Sequence, residues 1–408
     1  MGLNTFRVTR VLDRVFLGGI SVREQPARVL HIIVGLGNGG AEKSLAKICL
    51  EDKKNLHEIV SLTTQGHYGK LLRDAGIPVV AVRFRIRRVL KVILALRRLI
   101  RRRSPDIIHS WMPHGILFGW LATLSLRKRH RPAAVWGLRA QDYGKRKGIF
   151  SLPDLVQLIA LVSWVTDPII LAVGSEVKRR HAALGFDVKK IRVIENGYSE
   201  ESRMAPTRAS IAAYQLGKLK AEKRFVIGCV ARFHPQKNHF GFLDALGTLA
   251  LAGHQFLAVF AGEGMTPENE ELRKYVTHKN LDDYVFFAGA IDDPNFLYSL
   301  MSIHVLPSAF GEGFPNAVAE SMLSGVPNVV TDVGDARRLV FGAGWVVPPG
   351  DPEALVAALK EAMGEEPSTL RRFGVRAKTQ ILEDFPEHAM ISRYSGVYRE
   401  ALGQATAK

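Results

Sequence analysis

Cysteine is scarce in this 408-residue chain, and its scarcity excludes two kinds of stabilised fold. Cys49 and Cys229 are the only cysteines, and they lie far apart, each within an apolar run. Two cysteines cannot form a disulfide framework or a cysteine-based metal cluster. We therefore expect two buried free thiols, no metal site and a reducing, cytoplasmic compartment.

Long hydrophobic runs are also missing. The longest apolar region, Leu155 to Val173, is interrupted by Gln157 and Asp167, whereas a membrane-spanning helix needs about 20 largely apolar residues. This region is predicted to be a buried helix followed by a buried strand. The basic segment before residue 25 has one short apolar run, which Asp13 interrupts, so no secretory signal is expected.

Acidic residues are sparse in the first half of the chain. Residues 1–200 contain 35 Lys and Arg and 15 Asp and Glu, whereas residues 201–408 contain 21 and 24. The segment Arg83 to Arg103 holds ten basic residues and no acidic one. On a predicted helix over residues 86–103 the apolar side chains share one face, namely Ile86, Val89, Leu90, Ile93, Leu96 and Ile100.

Two interpretations of this basic helix differ in function. It is either an ordinary outer helix with a solvated basic face, or a contact with an anionic membrane surface. Each basic residue near such a surface contributes up to about 1 kcal/mol, so several together would hold the protein there reversibly. No recognition motif for nucleic acid accompanies the charges. We favour the membrane and expect no nucleic-acid partner.

Short apolar runs alternate with helical patterns along the whole chain, which predicts an α/β fold with parallel sheets. Strands are predicted at residues 28–34, 57–62, 78–82, 107–110, 134–136, 169–173, 191–194, 224–230, 256–260, 284–287, 303–306, 326–331 and 345–347, and helices at 41–50, 86–103, 240–251 and 270–279. Ligands of such sheets bind at the carboxyl ends of the strands.

A polar stretch with Gly197, Pro206 and Gly217 divides the chain and is typical of a linker. We expect two Rossmann-like, doubly wound domains facing across a cleft. The first, residues 1–200, is expected to bind the acceptor and to carry an extension at 1–27. The second, residues 201–385, is expected to bind a nucleotide, and a helix within 386–408 is expected to cross back to the first.

The segment from residue 310 to 332 carries two carboxylates around the start of one helix. Glu312 lies in a glycine-flanked loop after an apolar strand, and Pro315 suits a first helical turn. The helix is predicted to include Glu320 and to end at Ser324-Gly325. Its free N–H groups form an anion site. Two carboxylates beside such a site suit a polyhydroxylated, phosphorylated ligand, which describes a nucleotide-sugar.

This segment resembles the donor-site signature of the retaining glycosyltransferases of family 4, roughly E-G-F-x-x-x-x-x-E-A-M-x-x-G-x-P-V-V. Ser321 stands where that family usually has Ala, and Asn328 stands where Val is common. The resemblance implies a metal-independent enzyme of GT-B fold. It implies that Glu320 binds ribose hydroxyls and that Glu312 orients the transferred sugar. Helix N–H groups near Phe314, Pro315 and Asn316 would stabilise the departing diphosphate.

Residues 35–40 match G-x-G-x-x-G between a strand and a helix, which leaves two interpretations. A dinucleotide site also needs an acidic residue at the end of the second strand, and that strand ends Ser61-Leu-Thr-Thr64. The run Gly39-Gly40-Ala-Glu-Lys43 instead resembles the first glycine loop of the same family. There, glycine lets the backbone approach the diphosphate and sugar.

Further loops resemble family positions around the nucleotide. Arg232 and Lys237 follow the first strand of the second half and match an R-x-x-x-x-K pair, with Asn238 where Gly is usual. A guanidinium and an ammonium together can neutralise a diphosphate. Gly262 and Gly289 end the next two strands and would line the nucleotide pocket, although such glycines are also ordinary turns.

Two histidines are candidates for the residue beside the reacting sugar. The family often has H-x-H at the end of the strand 107–110, and here Trp111 replaces the second histidine. His114 and His109 therefore remain alternatives. Arg139 is expected to help hold donor or acceptor. Glu195 stands where the family has Pro, and Asp335 stands where many relatives have Gly, with no role assigned.

The resemblance implies a retaining transferase for a hexosyl or N-acetylhexosaminyl group. The donor would be a nucleoside diphosphate sugar, UDP-sugar in preference to GDP-sugar, with no cofactor. We expect a lipid-linked or saccharide acceptor at the inner face of the cell membrane, in surface polysaccharide assembly. The alternatives are an NAD-dependent oxidoreductase using residues 35–40, a non-catalytic membrane-binding protein, and an epimerase or phosphorylase on the same fold.

Overall fold

The computed structural model describes residues 26–37, 39–82, 89–124, 126–127, 130–140, 151–200, 225–291 and 294–406. The predicted extension lies outside this part of the chain except for residues 26 and 27. The basic residues 83–88 and most of the predicted linker, from residue 201 onward, lie outside it as well.

Seven parallel strands form the first sheet. They are β1 (Arg28–Ile33), β2 (Leu56–Ser61), β3 (Val79–Ala81), β4 (Ile107–Trp111), β5 (Ala133–Leu138), β6 (Ile169–Ala172) and β7 (Ile191–Val193), in the order β3-β2-β1-β4-β5-β6-β7. Parallel neighbours need crossover helices, which cover both faces of the sheet. These are α1 (Gly40–Glu51), α2 (Gly66–Asp74), α3 (Val89–Arg103), α4 (Met112–Thr123), α5 (Leu152–Val165) and α6 (Ser175–Ala183).

Six parallel strands form the second sheet. They are β8 (Phe225–Val230), β9 (Phe256–Ala261), β10 (Val285–Gly289), β11 (Ile303–Leu306), β12 (Asn328–Thr331) and β13 (Gly344–Val347), in the order β10-β9-β8-β11-β12-β13. The helices that follow are α7 (His239–Leu251), α8 (Glu270–His278), α9 (Asn295–Leu300), α10 (Asn316–Leu323), α11 (Ala336–Val340), α12 (Pro352–Gly364), α13 (Pro367–Asp384) and α14 (Glu387–Thr406). The predicted fold class, two doubly wound α/β units, is confirmed.

The chain passes between the two sheets twice. After α13 it returns to the first sheet, where Tyr394 and Tyr398 of α14 are buried in the same core as Trp111. The two passages lie side by side, because the Tyr198 N–H donates to the Phe385 carbonyl at 2.8 Å. The Glu387 N–H in turn donates to the Tyr198 carbonyl at 2.9 Å.

The outer helices α3 and α5 bury only part of their apolar surface. On α3 the buried stripe is Val92, Leu96 and Ile100, whereas Leu90, which the sequence places on the same apolar face as Leu96 and Ile100, is 76% exposed. A sheet covers one narrow stripe of a helix, so only residues four apart along α3 are enclosed. The helix predicted as buried, α5, covers the sheet with one side only, and its Leu161 is 69% exposed. Within the described residues, none of the helices combines the length and hydropathy needed to cross a bilayer.

Candidate active site

The loop after β11 places Glu312 beside a cation from another loop. Its carboxylate is 6% exposed, and Oε1 lies 2.5 Å from Lys237 Nζ. The Ser308 hydroxyl donates to the same oxygen at 2.5 Å. Glu312 and Lys237, which lie far apart in sequence, therefore meet at the carboxyl ends of neighbouring strands β11 and β8.

The loop after β8 has the shape that its sequence requires. Asn238 adopts φ 51° and ψ 44°, a left-handed conformation that glycine and asparagine tolerate best. This conformation explains why Asn can stand where the family has Gly. The Ala309 N–H donates to the Gln236 carbonyl at 2.8 Å, which ties this loop to the one carrying Glu312. Arg232 is exposed at the same edge.

Gly262 and Gly289 hold a third loop against the first two. The Gly262 N–H donates to the Gly289 carbonyl at 2.7 Å. Gly262 has φ 138°, and a Cβ there would lie 2.3 Å from the Ala231 carbonyl oxygen. A side chain at Gly262 would therefore displace the strand end that leads to Arg232.

The helix α10 begins at the cleft and is contacted by the first domain. The Asn316 side-chain oxygen accepts hydrogen bonds from Asn196 Nδ2 at 2.6 Å and from the Tyr198 hydroxyl at 2.8 Å. A Cβ on Gly40 would lie 2.5 Å from Asn316 Nδ2. Pro315 precedes the helix at its N-cap position, and Phe314 is buried against Tyr198. The backbone N–H groups of the first turn of α10 therefore lie where the two domains meet.

Lys43 is a residue of this region that the sequence did not single out. Its ammonium donates to Glu320 Oε1 at 2.6 Å, from α1 of the first domain to α10 of the second. Glu42 precedes it, following the Gly39-Gly40 turn. Burial raises the pKa of the Glu42 carboxyl, while the positive charges of Arg232 and Arg139 oppose that rise.

The two candidate histidines lie in different surroundings. His109 is fully buried, stacked on Trp111 with 4.4 Å between ring centroids, and its Nδ1 lies 2.9 Å from the Tyr398 hydroxyl. Burial, with the nearby Arg139 charge, holds the His109 pKa well below its usual range. His114 is exposed in the first turn of α4, after the carboxyl end of β4. The geometry therefore favours His114 for contact with a ligand.

Arg139 connects the first domain to the site by its side chain. Its guanidinium lies over the Trp111 ring, 4.6 Å from the ring centroid. It donates to Asn196 Oδ1 at 2.9 Å and to the Tyr394 hydroxyl at 2.7 Å. Arg139 therefore positions Asn196, which in turn donates a hydrogen bond to Asn316 at the start of α10.

Two unusual residues of the sequence make contacts between the domains. The Asp335 carboxylate accepts from the Ser175 N–H at 3.1 Å, so it caps α6 of the first domain. Glu195 pairs with Arg338 at 2.9 Å and with Arg393 at 3.1 Å. These charges join the two domains at places where many family members have Gly or Pro.

Ser321 and Asn328, the two residues that depart from the family signature, are hydrogen-bonded to each other. The Ser321 hydroxyl donates to Asn328 Oδ1 at 2.6 Å, and His304 Nδ1 lies 2.7 Å from the same oxygen. All three side chains are fully buried. A buried polar side chain needs partners, and the Ser321 hydroxyl supplies one for Asn328. The Val318 carbonyl, 3.0 Å away, is a second acceptor for the same hydroxyl.

Three buried side chains, His31, Cys49 and His57, bring potential metal-ligand atoms within 4.8 Å of one another. The Trp111 indole N–H donates to His31 Nδ1 at 3.1 Å, so the His31 proton is on Nε2. That proton points at His57 Nδ1, 2.9 Å away. His31 Nε2 and His57 Nδ1, the two nitrogens that would face an ion, are therefore hydrogen-bonded to each other. Burial raises the pKa of the Cys49 thiol well above its ordinary value, so the thiol is protonated in this cluster. These residues fit a hydrogen-bonded chain and not a metal ion.

Two parallel doubly wound sheets, with cations and carboxylates meeting at their carboxyl ends, define the GT-B class of fold. Family models match both halves of the chain. Residues 38–202 match the model described as Glycosyltransferase Family 4, and residues 224–365 match Glycosyl transferases group 1. The chain belongs to these family 4-type GT-B glycosyltransferases. This membership selects a transferase over the oxidoreductase and the non-catalytic alternatives.

Individual relatives agree with this membership. EpsF of Bacillus subtilis (strain 168), which has a provisional glycosyltransferase name, is 24% identical over 75% of this chain and 79% of its own. The lipopolysaccharide core biosynthesis mannosyltransferase LpsB of Rhizobium meliloti (strain 1021) is 31% identical over 43% of this chain and 51% of its own. Anabaena Alr3699/HepE in complex with UDP-glucose has a TM-score of 0.75 at 20% identity, covering 92% of this chain and 100% of that chain.

Proposed function

We propose that the protein transfers a sugar from a nucleoside diphosphate sugar with retention of anomeric configuration. A UDP-sugar is favoured over a GDP-sugar, because the similar HepE structure contains UDP-glucose. The observation that carries the proposal is the junction of Lys237, Glu312 and the start of α10 at the carboxyl ends of the neighbouring strands β8 and β11.

The donor is proposed to lie along the carboxyl ends of β8 to β11. Lys237, Arg232 and the N–H groups at the start of α10 supply positive charge for the diphosphate. Glu320 would accept hydrogen bonds from the ribose hydroxyls, and Glu312 would do so from the transferred sugar. Gly39, Gly40, Gly262 and Gly289 would let backbone approach the ligand closely.

The transfer step needs little covalent help from the protein. The bond from C1 of the sugar to the diphosphate oxygen breaks, and a bond from C1 to the acceptor oxygen forms on the same face. The acceptor proton passes to the departing diphosphate, whose charge Arg232 and Lys237 stabilise. His114 would contact the reacting sugar, and Arg139 would position Asn196. Closure of the two domains would exclude water.

The acceptor is proposed to be a lipid-linked saccharide at the inner face of the cell membrane, in surface polysaccharide assembly. The relative LpsB is named for lipopolysaccharide core biosynthesis. The exposed basic side chains of α3 supply the charge for an anionic surface, and residues 1–200 are proposed as the acceptor-binding domain.

Calorimetric binding of UDP, GDP and NAD to the full chain tests the donor site. Lys237→Ala is expected to weaken nucleotide binding about tenfold or more, because it removes a charged hydrogen bond from the diphosphate. Glu320→Ala is expected to weaken it as well. Lys274→Ala is the matched control, since Lys274 forms an exposed ion pair with Glu270 on α8. Binding of NAD alone would contradict the proposal. An affinity for UDP or GDP that Lys237→Ala leaves unchanged would contradict it as well.

A further inference from the structure

Two neighbouring helices of the first domain have almost no charge. The helix α4 contains no Lys, Arg, Asp or Glu, and α5 contains only Asp154. An outer helix of an α/β domain normally has a polar face toward solvent. Here the exposed positions of α5 are apolar apart from Gln157. We call the surface formed by Leu158, Leu161, Trp164 and Val165 of α5, together with Leu124 directly after α4, the α4–α5 face.

The α4–α5 face is exposed in the part of the chain that the structure describes. Leu161, Trp164 and Val165 are 69%, 61% and 81% exposed. The Trp164 indole N–H donates to the Gly185 carbonyl at 2.8 Å, so its polar atom is satisfied while its ring faces outward. Contiguous apolar surface of this kind marks an interaction site.

A cleft continues the α4–α5 face toward the sheet. It has a volume of about 580 Å³ and is lined by apolar and aromatic side chains that include Trp120, Trp136 and Trp164. The charged residues Arg131, Lys190 and Asp167 line it as well. Tryptophan beside basic residues is typical of the interface between water and lipid, where the ring is apolar and the rim is polar.

The charges on the α3 side of the α4–α5 face have one sign, whereas Asp167, just after the end of α5, is paired with Lys190 at 4.0 Å. The helix α3 packs against α4 and has exposed Lys91, Arg98, Arg101 and Arg102, with no acidic residue between Val89 and Arg103. Leu90 and Leu94 of α3 are exposed among these charges. An apolar surface with a basic rim is complementary to an anionic bilayer. A second copy of this face would instead bring like charges together.

We propose that the α4–α5 face inserts into the interface of an anionic lipid bilayer, with the basic residues of α3 contacting the headgroups. This inference rests on the membrane location given under the proposed function, but it assigns the apolar contact to helices that the basic segment does not include. It also presents the first domain to the membrane by its helical side, with α3, α4 and α5 toward the lipid.

Co-sedimentation with vesicles tests this surface. The full chain is expected to bind vesicles that contain phosphatidylglycerol more tightly than vesicles of phosphatidylcholine alone. The double variant Leu161→Gln/Trp164→Ser is expected to weaken binding about tenfold or more. Arg98→Gln/Arg101→Gln is expected to weaken binding to the anionic vesicles by a similar factor. Leu251→Gln/Val375→Gln is the matched control, because these two residues are 87% and 68% exposed on the second domain.

Three results would overturn the proposal. Vesicle binding that the α4–α5 variants leave unchanged would assign the membrane contact to another surface. A dimer in solution that Leu161→Gln dissociates would make a second copy the occupant. A large fall in melting temperature for Leu161→Gln, without vesicle binding by the wild type, would mean that another segment of this chain covers the face.

Nucleotide binding separates this test from that of the proposed function. The α4–α5 variants are expected to bind UDP or GDP like the wild type, because Leu161 and Trp164 are not among the residues proposed to contact the nucleotide. Loss of vesicle binding with intact nucleotide binding supports the docking face. Vesicle binding by a chain that binds no nucleotide would keep the docking face and remove the donor site.

Discussion

The Lys43 ammonium of the first domain lies 2.6 Å from Oε1 of Glu320 in the second. Glu320 is the carboxylate proposed to bind the ribose, so the ion pair and the nucleotide use the same group. A donor that enters the site must replace this contact with its own hydroxyls. The pair therefore links nucleotide binding to the distance between the domains.

We expect Lys43→Met to leave UDP or GDP affinity unchanged or raise it, because the competitor for Glu320 is gone. Transfer should still fall, since α1 loses its contact with α10 in the closed arrangement. Calorimetry and a transfer assay on the same preparation check both effects. Nucleotide affinity that falls as far as in Lys237→Ala would instead make Lys43 part of the diphosphate site.

Gly40→Ala should disturb the contact between the domains. The new Cβ would lie 2.5 Å from Asn316 Nδ2 and push away a side chain that holds bonds from Asn196 and Tyr198. We expect a loss of about 1–2 kcal/mol in the free energy of unfolding, because two hydrogen bonds of about 1 kcal/mol each are weakened. Urea unfolding measures it. Gly37→Ala is the control, since nothing lies within 4 Å of a Cβ there.

Ser321 and Asn328 should show a coupling energy. Asn328→Val removes the acceptor of both Ser321 and His304, and we expect it to cost about 2–3 kcal/mol. Ser321→Ala removes one hydrogen bond and should cost about 1 kcal/mol. The double variant should be less destabilised than the sum, by about 1 kcal/mol, because the shared bond is lost only once. Simple additivity in urea unfolding would show that the hydroxyl and the amide act independently.

Buried histidines should make the protein less stable as the pH falls below 6.5. Burial lowers the pKa of His181 and the pKa of His304 to about 4. Between their folded value near 4 and the ordinary value of about 6.5, the unfolded chain binds more protons, so stability is lost as pH decreases. Each such histidine contributes up to about 1.4 kcal/mol per pH unit in that window.

The variant His181→Phe should flatten this pH dependence. Its ring would keep the edge contact with Phe186 and lose the titrating nitrogen. The measurement is the free energy of unfolding in urea between pH 4 and 7. His278→Phe, at an exposed position on α8, is the matched control and should leave the slope as it is. An unchanged slope in His181→Phe would show that other groups govern acid stability.

The sequence predicted the strands and the second-domain loops because their signals are local. Continuous apolar runs give parallel strands, and glycine or proline next to charged residues marks the loops at their ends. The resemblance to family motifs at two strand ends predicts one site for Lys237 and Glu312, and the structure sets them 2.5 Å apart. The exposed side of α5 could not be predicted from its amino-acid composition, because a helix that is largely apolar is expected to be buried on all sides.

Contacts between the domains escaped prediction for a different reason. Lys43 and Glu320 are 277 positions apart, and their meeting depends on the relative placement of two sheets. The same holds for Asp335, which caps α6, and for Glu195, which pairs with Arg338. Nothing in a single sequence ties such residues together, because each has ordinary neighbours along its own element.

The paired passages of the chain at Tyr198 and Phe385–Glu387 limit how the enzyme can open. The two backbone segments are hydrogen-bonded to each other. Rotation of the domains about this contact is therefore expected to be easier than sliding or twisting of one domain against the other. We therefore expect the domains to open mainly by rotation about this contact. Residues far from this contact move the greatest distance during such a rotation. A small rotation at Tyr198 would therefore separate the loops that must admit donor and acceptor.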